Sequence, residues 1–355
     1  MDFRLKLALE LERIRRRNLK QLHPLQQLFW ESTLRCNVSC RHCGSDCRQE
    51  PAQKDMPNED FLRVIDEEIL PHVNPHNVMI IISGGEPTMR RDLELIGSEL
   101  QKREFPWGMV TNGLAMTPER FTALRKAGML SLTVSLDGFE DDHNWMRGSK
   151  QSFKKAVETI RLAAHDKFLT WDVVTCVNKR NVQYLPQLRE YLWRLGVGRW
   201  RLFGIDPMGR AKNDPELLLT DEQFIYMLDF IASEREVGRR VSYSCEGFLG
   251  EYEGKVRSHL YHCAAGISVA SILIDGSISA CTSIRGKYYQ GNIYHDHFWQ
   301  IWENGFQTYR NRTWMRTQEP CKSCKVFRYC EGNGMHLREE DGSLMICHLK
   351  RIITK

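Results

Sequence analysis

Residues 31–47 read ESTLRCNVSCRHCGSDC, and the reading of this stretch decides the fold. Cys36, Cys40 and Cys43 stand within eight residues, with gaps of three and then two. A structural zinc site usually takes four ligands, often as two separated C-x2-C pairs. Three thiolates so closely spaced suit another task, holding three corners of an iron–sulfur cube and leaving the fourth iron open. Such clusters take soft thiolate ligands. A zinc knuckle completed by His42 or Cys47 is the alternative that the spacing leaves open.

The surrounding composition narrows the choice. At 355 residues the chain is long enough for two domains. Its hydrophobic content of 42% and charged content of 27% are those of an ordinary globular protein. A net charge of +5 gives no argument for nucleic acid. The basic run at residues 13–17 is expected to be a solvated face of an N-terminal helix. Arg4, Lys6, Glu10 and Glu12 interrupt any signal-peptide core, and no apolar run approaches a membrane span. A cytoplasmic location is therefore expected. In a reducing compartment, twelve cysteines are more readily metal ligands than disulfides.

Outward from the cysteines, short apolar runs alternate with amphipathic segments. Strands are expected at 28–33, 78–83, 108–111, 131–136, 171–177 and 199–205. Helices are expected at 58–70, 92–102, 117–126, 152–164, around 185–195 and at 220–234, with Thr117 capping and Pro118 opening the third. Six βα units in series predict an α/β fold with a parallel sheet and right-handed crossovers. Six leave the barrel open where eight would close it. The strand C-terminal ends then share one rim, where the three cysteines, residues 84–87, Asn112, Ser135, Asp137 and Asn178 all fall. Active sites of such folds lie on that rim.

Beyond residue 237 the rhythm stops. SILIDGSISAC at 271–281 reads as a hairpin turning at Asp275 and Gly276. The remainder is dense in cysteine, and metal commonly braces a domain with little core. The expected division is an N-terminal helical extension (1–27), a partial (β/α)6 barrel (28–237) and a small cysteine-rich domain (238–355).

These residues resemble the radical SAM enzymes, which cleave S-adenosylmethionine (SAM), over about residues 28–210. The C-x3-C-x2-C loop after the first strand is that family's signature. The resemblance implies that Cys36, Cys40 and Cys43 ligate a 4Fe-4S cluster whose fourth iron chelates SAM, with His42 beside the adenine. Gly84-Gly85-Glu86-Pro87 resembles the family's GGEP, implying that Glu86 holds the SAM ammonium. Thr111-Asn112-Gly113 and Ser135-Leu136-Asp137-Gly138 resemble the next two strand-end motifs. Asn178 would line the fifth strand end, and Pro207-Met208-Gly209-Arg210 resembles a sixth-strand P-x-G-R. The C-terminal part resembles the SPASM extension, which implies one or two auxiliary iron–sulfur clusters. Cys321, Cys324, Cys330 and Cys347 would hold one, although four such cysteines also suit structural zinc. Cys245, Cys263 and Cys281, with seventeen residues between successive members, would serve a second, with its fourth ligand unknown.

The activity so implied is reductive cleavage of SAM to a 5′-deoxyadenosyl radical that takes hydrogen from a peptide or protein. An external electron donor such as flavodoxin or ferredoxin would be required. Sulfatase-maturing relatives place an Asp after the cysteine matching Cys281, where this chain has Thr282. The stretch 245–265 resembles a SPASM subgroup associated with small lipoproteins. No residue is singled out as the substrate's acid or base; Glu246, Tyr252 and His262 are expected in surface roles, and Cys176 in the core. The alternatives are maturation of a small haem- or quinone-type precursor by the same chemistry, and a non-catalytic zinc scaffold.

Overall fold

The structure is a computed structural model that describes residues 2–244 and 246–353. Six strands alternate with helices as expected: β1 Gln27–Thr33, β2 Met79–Gly84, β3 Trp107–Thr111, β4 Met129–Ser135, β5 Thr170–Val177 and β6 Trp200–Gly204. Each pairs with the next in parallel. The sheet extends past them at both edges. A short β7, Val241–Tyr243, pairs parallel with β6, and β8, Val269–Ile272, pairs parallel with β1. The expected hairpin joins β8 to β9 (Ser277–Ser279), turning at Gly276 with φ +84°, and β10 (Gly291–Asn292) follows antiparallel. The order β10-β9-β8-β1-β2-β3-β4-β5-β6-β7 leaves the barrel open between β7 and the β8 side. A strand of three residues is too short for an alternating pattern to reveal, so β7 appears only in the fold, as does the pairing of β8 with β1.

Side-chain alternation gives the sheet two unlike faces. Leu28, Trp30, Ile80, Ile82, Leu132 and Val134 are fully buried beneath the helices. The inward row, including Phe29, Ile81, Asp172 and Arg201, stays partly exposed, and Val110 is 36% exposed. The barrel interior is therefore open space.

The first eight α-helices are α1 Phe3–Leu22, α2 Asn58–Val64, α3 Leu93–Lys102, α4 Pro118–Lys126, α5 Glu140–Arg147, α6 Ser152–His165, α7 Leu185–Arg194 and α8 Asp221–Glu236. Thr117 caps α4 through the Arg120 N–H, and Thr220 with Gln223 forms a capping box on α8. The second segment leaves α-geometry at Ile65, passing through a π turn to Ile69. α5 was not anticipated.

The basic run on α1 is not simply solvated. Arg16 is 3% exposed, donates to the Tyr329 carbonyl at 2.7 Å and sits 3.7 Å from Glu331, while Lys20 pairs with Glu331 at 2.7 Å. Leu9 packs with Phe248, Tyr261 and Tyr329, so α1 braces the C-terminal cysteine region. Among the described residues no helix is long and apolar enough to cross a membrane.

Candidate cluster and cofactor site

The cysteine loop leaves β1 and is held from several directions by backbone. At its base the Cys36 N–H donates to the Arg48 carbonyl at 2.8 Å, and Arg48 N–H returns to Leu34 at 3.3 Å. From the far side, Ser39 and Arg41 N–H donate to the carbonyls of Arg147 and Met146 at the end of α5. β2 contributes its two glycines. Gly85 N–H donates to Thr33 and Glu86 N–H to Arg35, at 2.6 and 2.9 Å. A Cβ at Gly84 would stand 2.1 Å from the Thr33 oxygen, and one at Gly85 2.3 Å from the Arg35 oxygen. The glycines thus let the end of β2 press against the loop's own backbone. Gly209 plays the same part for the P-x-G-R segment. Its φ is +52°, a Cβ there would meet the Cys43 oxygen at 2.4 Å, and Arg210 N–H donates to that oxygen at 3.1 Å.

The loop and the strand ends enclose a cavity of about 220 Å³. Cys36, Cys40, Cys43 and His42 line it on one side, and Gly84, Gly85, Glu86, Asn112 and Ser135 on the other. Pro87 and Asn178 do not. Pro87 is buried at the start of a short helical turn, and the Asn178 Oδ1 accepts from the backbone of Arg180 and Asn181.

Glu86 is 1% exposed. Its Oε1 accepts from Thr88 N–H (3.1 Å), Thr88 Oγ1 (2.7 Å) and Thr111 Oγ1 (2.8 Å). Its Oε2 accepts only from the Asn112 N–H, at 2.7 Å. Three donors crowd Oε1, whereas Oε2, with a single donor, keeps a lone pair available at the cavity. Burial raises the pKa of this carboxyl, against the hydrogen bonds that favour its charge. The Asn112 amide donates to Asn37 Oδ1 at 2.8 Å and lies 3.9 Å from the Cys36 sulfur.

A buried ion pair supports the loop from behind. Arg147 donates to Asp137 Oδ2 at 2.6 Å and to the Cys40 sulfur at 3.6 Å. Asp137 is fully buried and also accepts from the Cys176 N–H at 2.9 Å. Burial opposes its charge, yet Arg147 holds the carboxyl below its usual range. Arg147 escaped the sequence reading because α5, EDDHNWMR, is short and strongly polar; its inward face is His143, Met146 and Arg147. Cys176, expected in the core, is partly exposed on the inward row of β5.

The thiols differ in environment. Burial pushes Cys36 up to about 12 and raises Cys40, with Arg147 opposing at Cys40. Cys43 is drawn down to about 5, first by the Cys47 thiol and also by the Arg210 charge, against the cost of burial. The Cys47 N–H lies 3.4 Å from the Cys43 sulfur. Cys47 is buried and lines the same cavity beside Cys43.

Among the described residues no three His, Cys, Asp or Glu side chains close on a single-ion site. A four-iron cube spaces its thiolates more widely than one ion does. The donor set fits such a cluster with an organic ligand beside it: three soft sulfurs on one wall, open volume, and two polar atoms left without partners, His42 Nδ1 and Arg210 Nε. Burial lowers His42 to about 4, so its ring is neutral there.

In the C-terminal region, Cys330 is pushed up to about 12 by burial and then by Cys347, Cys321 and Cys324, which places the four thiols in one neighbourhood. Arg338 donates to the Cys321 sulfur at 3.2 Å. Cys263 and Cys281 lie close enough to influence each other, and Arg312 draws the Cys263 thiol down against its burial. Cys245 lies outside the described residues. Glu246, expected at the surface, is 5% exposed; it accepts from the Tyr243 hydroxyl and from the Gly204 N–H. Tyr252 bonds Asp229 at 2.6 Å on the surface, and His262 lies 3.5 Å from Glu12.

Comparison with known proteins agrees with this arrangement. Residues 30–192 match the radical SAM superfamily, and residues 263–325 match the SPASM iron–sulfur cluster-binding domain. The chain is 26% identical over 321 residues to the AdoMet-dependent heme synthase of Methanosarcina barkeri, covering 86% of this chain and 90% of that protein. It is 27% identical over 314 residues to the mycofactocin maturase MftC of Mycolicibacterium smegmatis, covering 87% and 77%. Among solved structures it resembles native anSMEcpe with bound AdoMet and Cp18Cys peptide (TM-score 0.72, 20% identity, 93% and 94% covered). It also resembles Streptococcus suis SuiB bound to the precursor peptide SuiA (TM-score 0.69, 14% identity, 94% and 77% covered). The cofactors are accordingly SAM, a 4Fe-4S cluster and auxiliary iron–sulfur clusters. The chain carries a radical SAM domain followed by a C-terminal SPASM domain.

Proposed function

We propose that this enzyme modifies a peptide or protein by hydrogen abstraction, with Cys36, Cys40 and Cys43 holding the SAM-binding cluster. The observation that carries the reading is the single cavity shared by those thiols with Glu86, Asn112 and Ser135. The bound cluster and SAM supply the radical chemistry, by one-electron cleavage of the cofactor. The chain's own residues position it. The free acceptor position on Glu86 Oε2 suits an ammonium, Ser135 and Asn112 offer polar contacts, and Arg147 steadies Cys40 from behind. In this reading residues 28–237 make the radical in the cytoplasm, on an electron from a flavodoxin or ferredoxin. Residues 238–355 house the auxiliary clusters, held by Cys321, Cys324, Cys330 and Cys347 and by Cys263 and Cys281 with Cys245. The resemblance to MftC, a maturase, supports a peptide substrate.

A second reading, maturation of a haem-type precursor, is supported by the resemblance to heme synthases and to an Fe-coproporphyrin III synthase. Anaerobically reconstituted protein, incubated with SAM, dithionite and candidate substrates, separates the two by the molecule whose mass changes. A gain or loss on a peptide supports the first reading; change confined to a tetrapyrrole overturns it.

A further inference from the structure

The barrel interior holds a second, larger cavity, about 650 Å³, toward the N-terminal ends of the strands. It adjoins the cluster cavity. Val110 of β3 borders both, and the inward row of β4 runs from Ser131 and Thr133 on the larger cavity to Ser135 on the smaller. Residues two apart on a strand are roughly 6.6 Å apart. The two spaces therefore lie end to end along the barrel.

The charge in this interior is one-sided. Four arginines line it, Arg199, Arg201, Arg235 and Arg240, against a single acid, Asp172. That acid is already neutralised. Arg201 grips both its oxygens, and Thr133 Oγ1 donates to Oδ1 at 2.7 Å. Arg235 donates only to the Val241 carbonyl, at 3.2 Å. Among the described residues Arg199 and Arg240 have no side-chain hydrogen bond or ion pair. Their placement sharpens the point. Trp200 is in register with Val241 on the paired strands β6 and β7, so Arg199 and Arg240, one residue earlier on each, stand opposite one another. Like charges directly opposite on neighbouring strands are unfavourable, and Asp172, which the register of β5 with β6 sets on the other side of Arg199, is already held by Arg201. Phe29, Ile81 and Trp171 give the cavity apolar wall.

The geometry points to a carboxylate-reading mouth. We propose that substrate enters the barrel from the N-terminal side, its carboxylates held by Arg199, Arg240 and Arg235. Its apolar body then lies past Phe29 and Trp171, with the reacting end toward Val110 and the cluster cavity. Guanidinium groups suit this task because their planar donors pair with carboxylates in bidentate fashion. The inference deepens the function proposed above and rests on it for where the chemistry occurs; the carboxylate site itself is tested by binding alone.

The test uses the reconstituted full-length protein and fluorescence anisotropy of labelled hexaglutamate and hexaglutamine peptides, with citrate as a small competitor. Hexaglutamate is expected to bind at least ~10-fold more tightly than hexaglutamine, with affinity falling as salt rises. The Arg199→Gln/Arg240→Gln pair should abolish the preference and Arg199→Lys/Arg240→Lys should retain part of it, with melting temperature and iron content checking the fold. The exposed Lys287→Gln serves as control and should change nothing. Equal binding of the two peptides, or an equal loss in the Lys287 variant, overturns the inference. Displacement of bound hexaglutamate by citrate at or below the peptide's own concentration supports the site and assigns it to a small carboxylated precursor, against the peptide reading. Carboxylate preference without any SAM cleavage leaves the site standing and removes the radical reading; SAM cleavage without the preference removes the site alone.

Discussion

The cysteine loop at 34–48 and the cysteines at 321–347 are both rich in thiols, yet they are held differently. The first is gripped by backbone hydrogen bonds from β2, α5 and the 207–210 segment, each reaching a loop amide or carbonyl. The second lies among short turns, a four-residue helix Phe327–Cys330 and a helical turn Met335–Leu337. It is tied by side chains, Arg338 onto Cys321 and Arg16 and Lys20 reaching from α1 to Tyr329 and Glu331. A loop that must keep one iron open to a cofactor gains from a shape fixed before the metal arrives. A closed site can let the metal complete its fold.

Removing iron is the largest test of that contrast. Chelation under anaerobic conditions should accelerate hydrogen exchange across 321–347 toward the unfolded rate, while 34–48 keeps most of its protection. Equal loss in both would break the comparison. Next in size is Arg147→Leu, which leaves Asp137 buried without its partner. Breaking such a pair costs about 3–5 kcal/mol, read from chemical denaturation at pH 7. Arg147 holds the folded pKa of Asp137 below its unfolded value, so the native pair adds stability above that value and loses it as pH falls through the folded one. In the variant, burial alone should raise the Asp137 pKa, and the deficit should shrink on acidification.

How far these features were legible in the sequence differs by element. The six βα units and the thiol spacing were readable because short apolar runs alternating with amphipathic segments and a compact motif are local signals. α5 was not, since it is eight residues long and only Met146 of its inward face, His143, Met146 and Arg147, is apolar. The glycines of residues 84–87 were noticed, but the reason for them is tertiary: they press on Thr33 and Arg35. The buried Arg16 looked like surface charge because its partners lie over three hundred residues away. The opposition of Arg199 to Arg240 likewise exists only in the register of β6 with β7.

Two smaller effects sharpen the account of the first loop. Gly85→Ala puts a methyl against the Arg35 carbonyl, with an expected overpacking cost of about 1–3 kcal/mol. SAM-dependent change in the reduced protein's EPR spectrum should be lost, while auxiliary-cluster iron is retained. Thr111→Val removes one of four donors to Glu86, about 1 kcal/mol. It should raise the KM for SAM several-fold with little change in melting temperature.

The central claim is that Cys36, Cys40 and Cys43 hold the cluster at which SAM is cleaved. The direct measurement is release of 5′-deoxyadenosine by anaerobically reconstituted protein given SAM and dithionite. The account predicts release by the native chain and none by Cys40→Ala, with auxiliary iron retained. Unchanged release from Cys40→Ala, or zinc without iron and sulfide in the native protein, would contradict it.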